Sequence, residues 1–222
     1  MDEAVARALD AQVGGCAAAH QRLLAGIAEL SDADCQIDSL LLGWSRGHVL
    51  NHLARNADSH ARMFEAATRG QESPQYPGGM AGRVAEIEAG AHRTAAELVA
   101  DTRVSIYTLE AAWAGASSTT WQGFGIKSHS DGSRVRISDL VLMRWCEIEV
   151  HHADLNIGFT HHDWTPLFVR YDLDRQVMSW KARKPMGLTT LPEAIQKLSP
   201  NDRLAWFYNR LTVAGLPAPQ AY

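Results

Sequence analysis

Four long stretches of this chain place apolar residues every three or four positions, each closed by a polar or Pro/Gly-rich break, and this commits the chain to packed helices. Residues 3 to 30 carry the pattern through Val5, Leu9 and Val13, then Leu23, Ile27 and Leu30. After the polar break SDADCQIDS, Ser45 is placed to cap a second helix that runs through Arg69 and stops at Gly70. The stretch QESPQYPGGMAG is too rich in Pro and Gly for a helix and reads as a long connection, with a third helix expected from Arg83 to Trp113. TTWQGFGI and SRVRI flank the turn signal SHSDG and read as a short hairpin. Ser138 is expected to cap a fourth helix, SDLVLMRWCEIEVHHADLNIG, with Asp139 at its positive end. Beyond Gly158 the composition changes at HHDWTP. A helix from about Phe168 to Ala182, an extended piece GLTTLP, a last helix ending near Arg210 and the Pro-rich tail GLPAPQAY are expected there.

Composition narrows the function classes. With 222 residues, 46% of them hydrophobic, the chain can bury one core, or a bundle with a smaller appendage. A formal net charge of -4 argues against a nucleic-acid surface, which needs clustered Lys and Arg in excess. The opening DEAVARALDAQ shows neither a secretory signal nor a membrane span, so the expected location is the cytoplasm and no membrane partner is expected. Cys16, Cys35 and Cys146 are odd in number and far apart, which excludes a disulfide framework and a Cys-rich zinc knuckle. Cys146 reads as a small buried helix residue, and Trp44 and Trp145 as core. Any metal would therefore rely on His and carboxylates.

Glu147 and His151 are four apart, so both project from one face of the fourth helix, and Arg144 and Asp154 extend that face. With His52 arriving from the second helix, the set offers two imidazoles and one carboxylate, which suits zinc with an open coordination position. Spacing alone leaves alternatives. His48 and His52 form a second pair at the same interval, and His161 and His162 are further candidates. His152 lies about 100° round the helix from His151 and reads as a surface or supporting position rather than a ligand.

Three separated motifs, together spanning roughly residues 20 to 158, resemble one family. LLLGWSRGHVLNHLARNA is similar to the Trp-led second helix of the mycothiol-dependent maleylpyruvate isomerases, members of the wider DinB-like metalloenzyme bundles. GQESPQY followed by Arg83 is similar to their connection, and MRWCEIEVHHADL to their Arg, Glu, His and Asp-Leu pattern. The resemblance implies a mainly α fold: a DinB-like four-helix bundle over residues 1–158, and a shortened, mostly helical C-terminal region over 159–222. It also implies a divalent metal, zinc by ligand type, on His52, Glu147 and His151. RLAWFYNR resembles the last family helix, whose functional Arg falls on Arg210, with Asn209 standing where the family tends to have Gly.

The resemblance further implies an enzyme of aromatic catabolism, with mycothiol or a similar thiol as co-substrate and a small anionic substrate. Zinc favours the thiolate, the nucleophilic form of the thiol. Addition to the cis double bond of maleylpyruvate, rotation, and expulsion of the thiolate would give fumarylpyruvate. Arg210 is the expected catalytic cation facing the substrate dianion, and Arg83 a substrate- or thiol-binding group. Arg144 and Asp154 are expected to orient the metal ligands from behind. Two alternatives stay open: a thiol S-transferase acting on a different electrophile, and a non-catalytic metal-binding module. Oligomeric state is open as well.

Overall fold

The structure is a computed structural model that describes residues 3–128, 132–183, 189–217 and 219. The centre of the SHSDG turn, the start of GLTTLP and most of the C-terminal tail lie outside these residues. The chain divides into two compact units, Met1–Ile157 and Gly158–Tyr222.

The first unit is built on four long helices, α1 (Glu3–Ile27), α3 (Arg46–Thr68), α5 (Ala95–Ala114) and α7 (Asp139–Asp154). Three short helices join them: α2 (Asp32–Gln36), α4 (Gly79–Gly90) and α6 (Ser118–Trp121). α3 packs along α5 and against α7, and α1 packs against α7 and α5, which closes a four-helix bundle. The periodic apolar positions meet inside: Leu23 and Ile27 from α1, Leu50, Leu53 and Phe64 from α3, Ile106 and Leu109 from α5, Trp145 and Ile148 from α7. Each such side chain contributes about 1.5 to 3 kcal/mol by leaving water. A Cβ at Gly15 would come within 2.1 Å of the Trp145 ring, so α1 reaches α7 because position 15 has no side chain.

Helix ends follow local chemistry, with three departures from expectation. Ser45 caps α3 as expected, and Gly70 beyond its end adopts φ 68°. The break SDADCQIDS holds a helix of its own, because Ser31 and Asp34 form a reciprocal capping box around α2. The expected third helix is two. Asn51 Nδ2 on α3 donates to the Glu86 and Ile87 carbonyls at 2.9 and 2.8 Å, closing α4, and Thr94 with Glu97 forms a capping box that starts α5. Ser138 does not cap α7: its backbone is already helical (φ -60°, ψ -32°) and its side chain makes no cap bond. The expected hairpin forms from β1 (Phe124–Ile126) and β2 (Arg134–Arg136), antiparallel with Gly125 opposite Val135. Residue 74 of the Pro/Gly connection bridges to Ile126, which ties that connection to the hairpin.

The second unit contains a 3-10 turn (His161–Asp163), α8 (Pro166–Lys181), α9 (Glu193–Gln196) and α10 (Pro200–Phe207). Thr165 and Ser199 cap α8 and α10, each followed by Pro at the first helical position. Ile195, Trp206 and Phe207 form its core, covered by Leu173, Val177 and Trp180. The fold is mainly α throughout. Among the described residues no helix is long and apolar enough to cross a membrane.

Candidate metal centre

α3 and α7 bring His52, Glu147 and His151 together inside the first unit. His52 Nε2 lies 2.8 Å from Glu147 Oε2, and His151 Nε2 lies 3.5 Å from the same oxygen. One ligand atom from each residue falls within 4.8 Å of the others. Tetrahedral zinc with bonds of about 2.0 to 2.1 Å sets neighbouring ligand atoms about 3.3 Å apart, so these separations bracket the edges of such a site. His52 is 2% exposed, whereas the Glu147 side chain is 33% exposed, which leaves the carboxylate side open to an incoming molecule.

The surroundings set the protonation of each group. Burial pulls His52 down to about 4, against the opposing pull of Glu147, so its ring is neutral at neutral pH. Burial also opposes protonation of His151, but hydrogen bonds from Asp154 and Glu147 outweigh it and raise the ring to about 9. Burial works against ionisation of Glu147 and is overcome by His151 and His52, which hold the carboxyl well below its usual range. Asp154, fully buried, accepts from His151 Nδ1 at 2.8 Å and thereby aims Nε2 at Glu147. A carboxylate behind a ligand imidazole fixes its tautomer and raises its basicity, so the donor set fits a divalent metal of the zinc type.

Arg83 also reaches this place. Its Nη2 donates to His52 Nδ1 at 3.2 Å, and its guanidinium lies 5.9 Å from the ring centroids of both Trp44 and Tyr76. The ring proton of His52 therefore sits on Nε2 and is donated to Glu147. Trp44, expected in the core, instead stands edge-on to His52 at 5.5 Å and forms a wall of the site. Tyr76 escaped the sequence analysis, although a lone aromatic in the Pro/Gly connection was a visible signal. The connection delivers it, and its backbone N–H donates to Ser128 Oγ at 2.8 Å. Its hydroxyl meets Ser59 and Asn56.

Arg144 sits deeper, fully buried, and bonds to none of the three candidate ligands. It donates to His20 Nε2 at 3.1 Å, to the Leu53 carbonyl at 2.8 Å and to Asn56 Oδ1 at 2.7 Å. His20 Nδ1 in turn donates to Glu110 at 2.8 Å. Glu110, His20, Arg144 and Asn56 come from α5, α1, α7 and α3, so one buried polar string ties all four long helices together. His48 is not brought into the triad: its Nδ1 pairs with Ser45 at the helix cap, and its Nε2 lies 3.5 Å from Glu88. His152 is neither at the surface nor beside the ligands; it is 4% exposed, packed against Gly26 of α1. Cys16, Cys35 and Cys146 are all buried, and none of them is in a disulfide.

Arg210 belongs to the second unit. α10 ends in a Schellman turn: Asn209 takes a left-handed φ of 58°, and the Asn209 and Arg210 N–H groups donate to the Trp206 and Ala205 carbonyls at 3.0 and 2.8 Å. Asn is the side chain that best tolerates this conformation after Gly, so the departure from the family's Gly leaves the turn intact. Arg210 Nη1 donates to the Tyr208 carbonyl at 2.5 Å.

The family described as "Mycothiol maleylpyruvate isomerase N-terminal domain" matches residues 16–156. Among solved structures, the crystal structure of the mycothiol-dependent maleylpyruvate isomerase shares the fold at a TM-score of 0.72. It is 24% identical over 79% of this chain and 72% of that chain. A histidine-to-alanine mutant of that enzyme superposes at the same TM-score, with 23% identity and the same coverage. No curated protein matches the chain significantly.

Proposed function

Because the chain belongs to the mycothiol maleylpyruvate isomerase N-terminal domain family, we propose that it is a metal- and thiol-dependent cis-trans isomerase acting on maleylpyruvate or a close relative. The observation that carries the proposal is the convergence of His52 Nε2, Glu147 Oε2 and His151 Nε2 on one point, with Asp154 buried behind His151. When bound there, a divalent metal such as zinc supplies the positive charge that keeps a thiol sulfur ionised at neutral pH.

The remaining chemistry falls to the protein and the two small molecules. The thiolate of mycothiol, or of a similar thiol, adds to the cis double bond of the substrate, forming a C–S bond and moving the electron pair into an enolate. Rotation about the resulting single bond, followed by C–S cleavage, returns the thiolate and leaves the trans isomer. No proton or electron is gained or lost overall. The open side of Glu147 faces the entering molecules, and Trp44 shields His52 from water. With His52 Nε2 holding a divalent metal, the ring proton would move to Nδ1, which could then no longer accept from Arg83. The Arg83 guanidinium is then available for a carboxylate of the thiol or the substrate, with the Trp44 and Tyr76 faces flanking it. Arg210 is assigned to the substrate carboxylates and the developing enolate charge, with the Schellman turn fixing the backbone that bears it.

The test is to incubate zinc-loaded protein with mycothiol and maleylpyruvate and to follow loss of the cis isomer. Turnover that needs both metal and thiol, and disappears in His52→Ala, is the expected result. Arg210→Ala should retain full metal and lose about 10²-fold or more in kcat/KM. Stable thiol adducts in place of isomerisation would move the assignment to S-transfer, and a wild-type protein without stoichiometric metal would sink it.

A further inference from the structure

A second group of metal-competent side chains lies wholly within the C-terminal unit and has no part in the reaction proposed above. His161, His162 and Asp202 each present one ligand atom, all within 4.8 Å of one another. Asp202 Oδ1 lies 3.0 Å from His161 Nε2 and 3.8 Å from His162 Nδ1. These separations bracket the roughly 3.3 Å between neighbouring ligands of tetrahedral zinc, as they do in the bundle.

Consecutive residues on a regular helix diverge by about 100°, which is why His151 and His152 cannot share an ion. His161 and His162 depart from that rule. Their ring centroids are 4.0 Å apart at a tilt of 40°, and both rings turn toward one carboxylate oxygen. Two imidazoles that close can each offer a ring-nitrogen lone pair to one shared cation. The other oxygen of Asp202 is occupied, since Ser199 Oγ donates to Oδ2 at 2.8 Å, so Oδ1 is the one that faces the histidines.

The backbones carrying these ligands are fixed to each other. Asn201 Nδ2 donates to the His161 and Trp164 carbonyls at 2.8 and 3.1 Å, clamping the 3-10 turn onto the start of α10. Thr160 and Asp163 close a capping box around the turn. His161 is further braced edge-on by Trp164 at 6.0 Å. Locked backbones and buttressed rings are what a metal site needs before the ion arrives.

We propose that His161, His162 and Asp202 form a second divalent-metal site, selective for zinc, nickel or copper over calcium and magnesium. Two imidazoles and one carboxylate exclude the hard, oxygen-demanding ions. The His162 side chain is 66% exposed, so water completes the coordination sphere and the ion exchanges with solvent. Its role is to staple the 3-10 turn to α10, the helix that ends at Arg210.

The test uses the full, tag-free chain, stripped by chelator and titrated with Zn²⁺ by calorimetry at pH 7.5, with His52→Ala removing the bundle site. Wild type should take up two ions and His52→Ala one. Adding His162→Ala to His52→Ala should weaken the retained ion at least tenfold, as should Asp202→Asn. Because His162 is exposed, its loss leaves the fold intact, and an unchanged circular dichroism spectrum checks this. If His52→Ala retains no ion at micromolar Zn²⁺, or if both added substitutions leave the retained affinity within twofold, the second site does not exist. Loss of both ions in His162→Ala alone would equally overturn it, by showing a single coupled site.

Discussion

Acid should unfold this protein partly through His60, a residue with no place in the proposed reaction. His60 lies two turns beyond His52 on α3, is 1% exposed, and has no hydrogen-bond partner on either ring nitrogen among the described residues. Burial, with the Arg144 charge adding to it, lowers its pKa to about 3, and Glu147 offsets this only in part. In the unfolded chain the same ring titrates near 6.5. A histidine with a depressed folded pKa takes up its proton only on unfolding, so its effect on stability is absent above about pH 7.5 and grows as pH falls toward 3. Between pH 7 and pH 5 this removes about 2 kcal/mol, and by pH 3 about 4 kcal/mol. His60→Leu abolishes the titration while keeping an apolar group of similar size. Urea unfolding of wild type and variant at both pH values isolates the effect, because every other titrating group is common to the two. The variant should gain about 2 kcal/mol relative to wild type on going from pH 7 to pH 5. Parallel pH dependences would show that His60 is not held neutral by burial, and would refute the reasoning.

Three further outcomes follow from the packing and the site. Asp154→Asn keeps an acceptor for His151 Nδ1 but removes the charge, so zinc affinity should fall 10- to 100-fold in a chelator competition assay while the helix content is unchanged. Gly15→Val places a side chain where Trp145 already sits, 2.1 Å from the new Cβ, and should lower stability by at least 1 to 3 kcal/mol in thermal or urea unfolding. Asn209→Gly relieves the left-handed strain at φ 58° and should leave stability within about 1 kcal/mol, whereas Asn209→Val should be clearly destabilising; equal melting points for the two would contradict the Schellman geometry.

Legibility in the sequence tracked the range of the interaction. Helices whose signals are local, such as α3 between Ser45 and Gly70, were readable to within a residue or two. The split between α4 and α5 was half readable: the Thr94–Glu97 capping box is written in the sequence, but the Asn51 amide that closes α4 comes from 35 residues away. The candidate site divides in the same way. Glu147, His151 and Asp154 share one helix face, so spacing alone proposes them. His52 depends on how α3 is set against α7, and only the family resemblance selected it over His48. Trp44 was misjudged because an aromatic beside an apolar run signals burial equally well whether it faces core or pocket.

The register that places His52 opposite Glu147 is held by groups outside the candidate triad. Asn56 stands one turn beyond His52 on α3, and Arg144 stands just short of one turn before Glu147 on α7. Their 2.7 Å bond therefore fixes the two ligand-bearing faces directly beneath the triad. Sliding α3 by one turn would move His52 about 5.4 Å along the bundle, and would at the same time strip the buried Arg144 of Asn56 and of the Leu53 carbonyl. An unsatisfied buried charge is costly enough to penalise that alternative strongly, whereas apolar contacts between leucine-rich faces would tolerate it. His20 and Glu110 extend the same constraint to α1 and α5. An arginine that extends the candidate metal face in sequence thus acts on the site through register: it makes one alignment of the four helices far better than its neighbours, and that alignment is the one in which the three candidate ligand atoms converge.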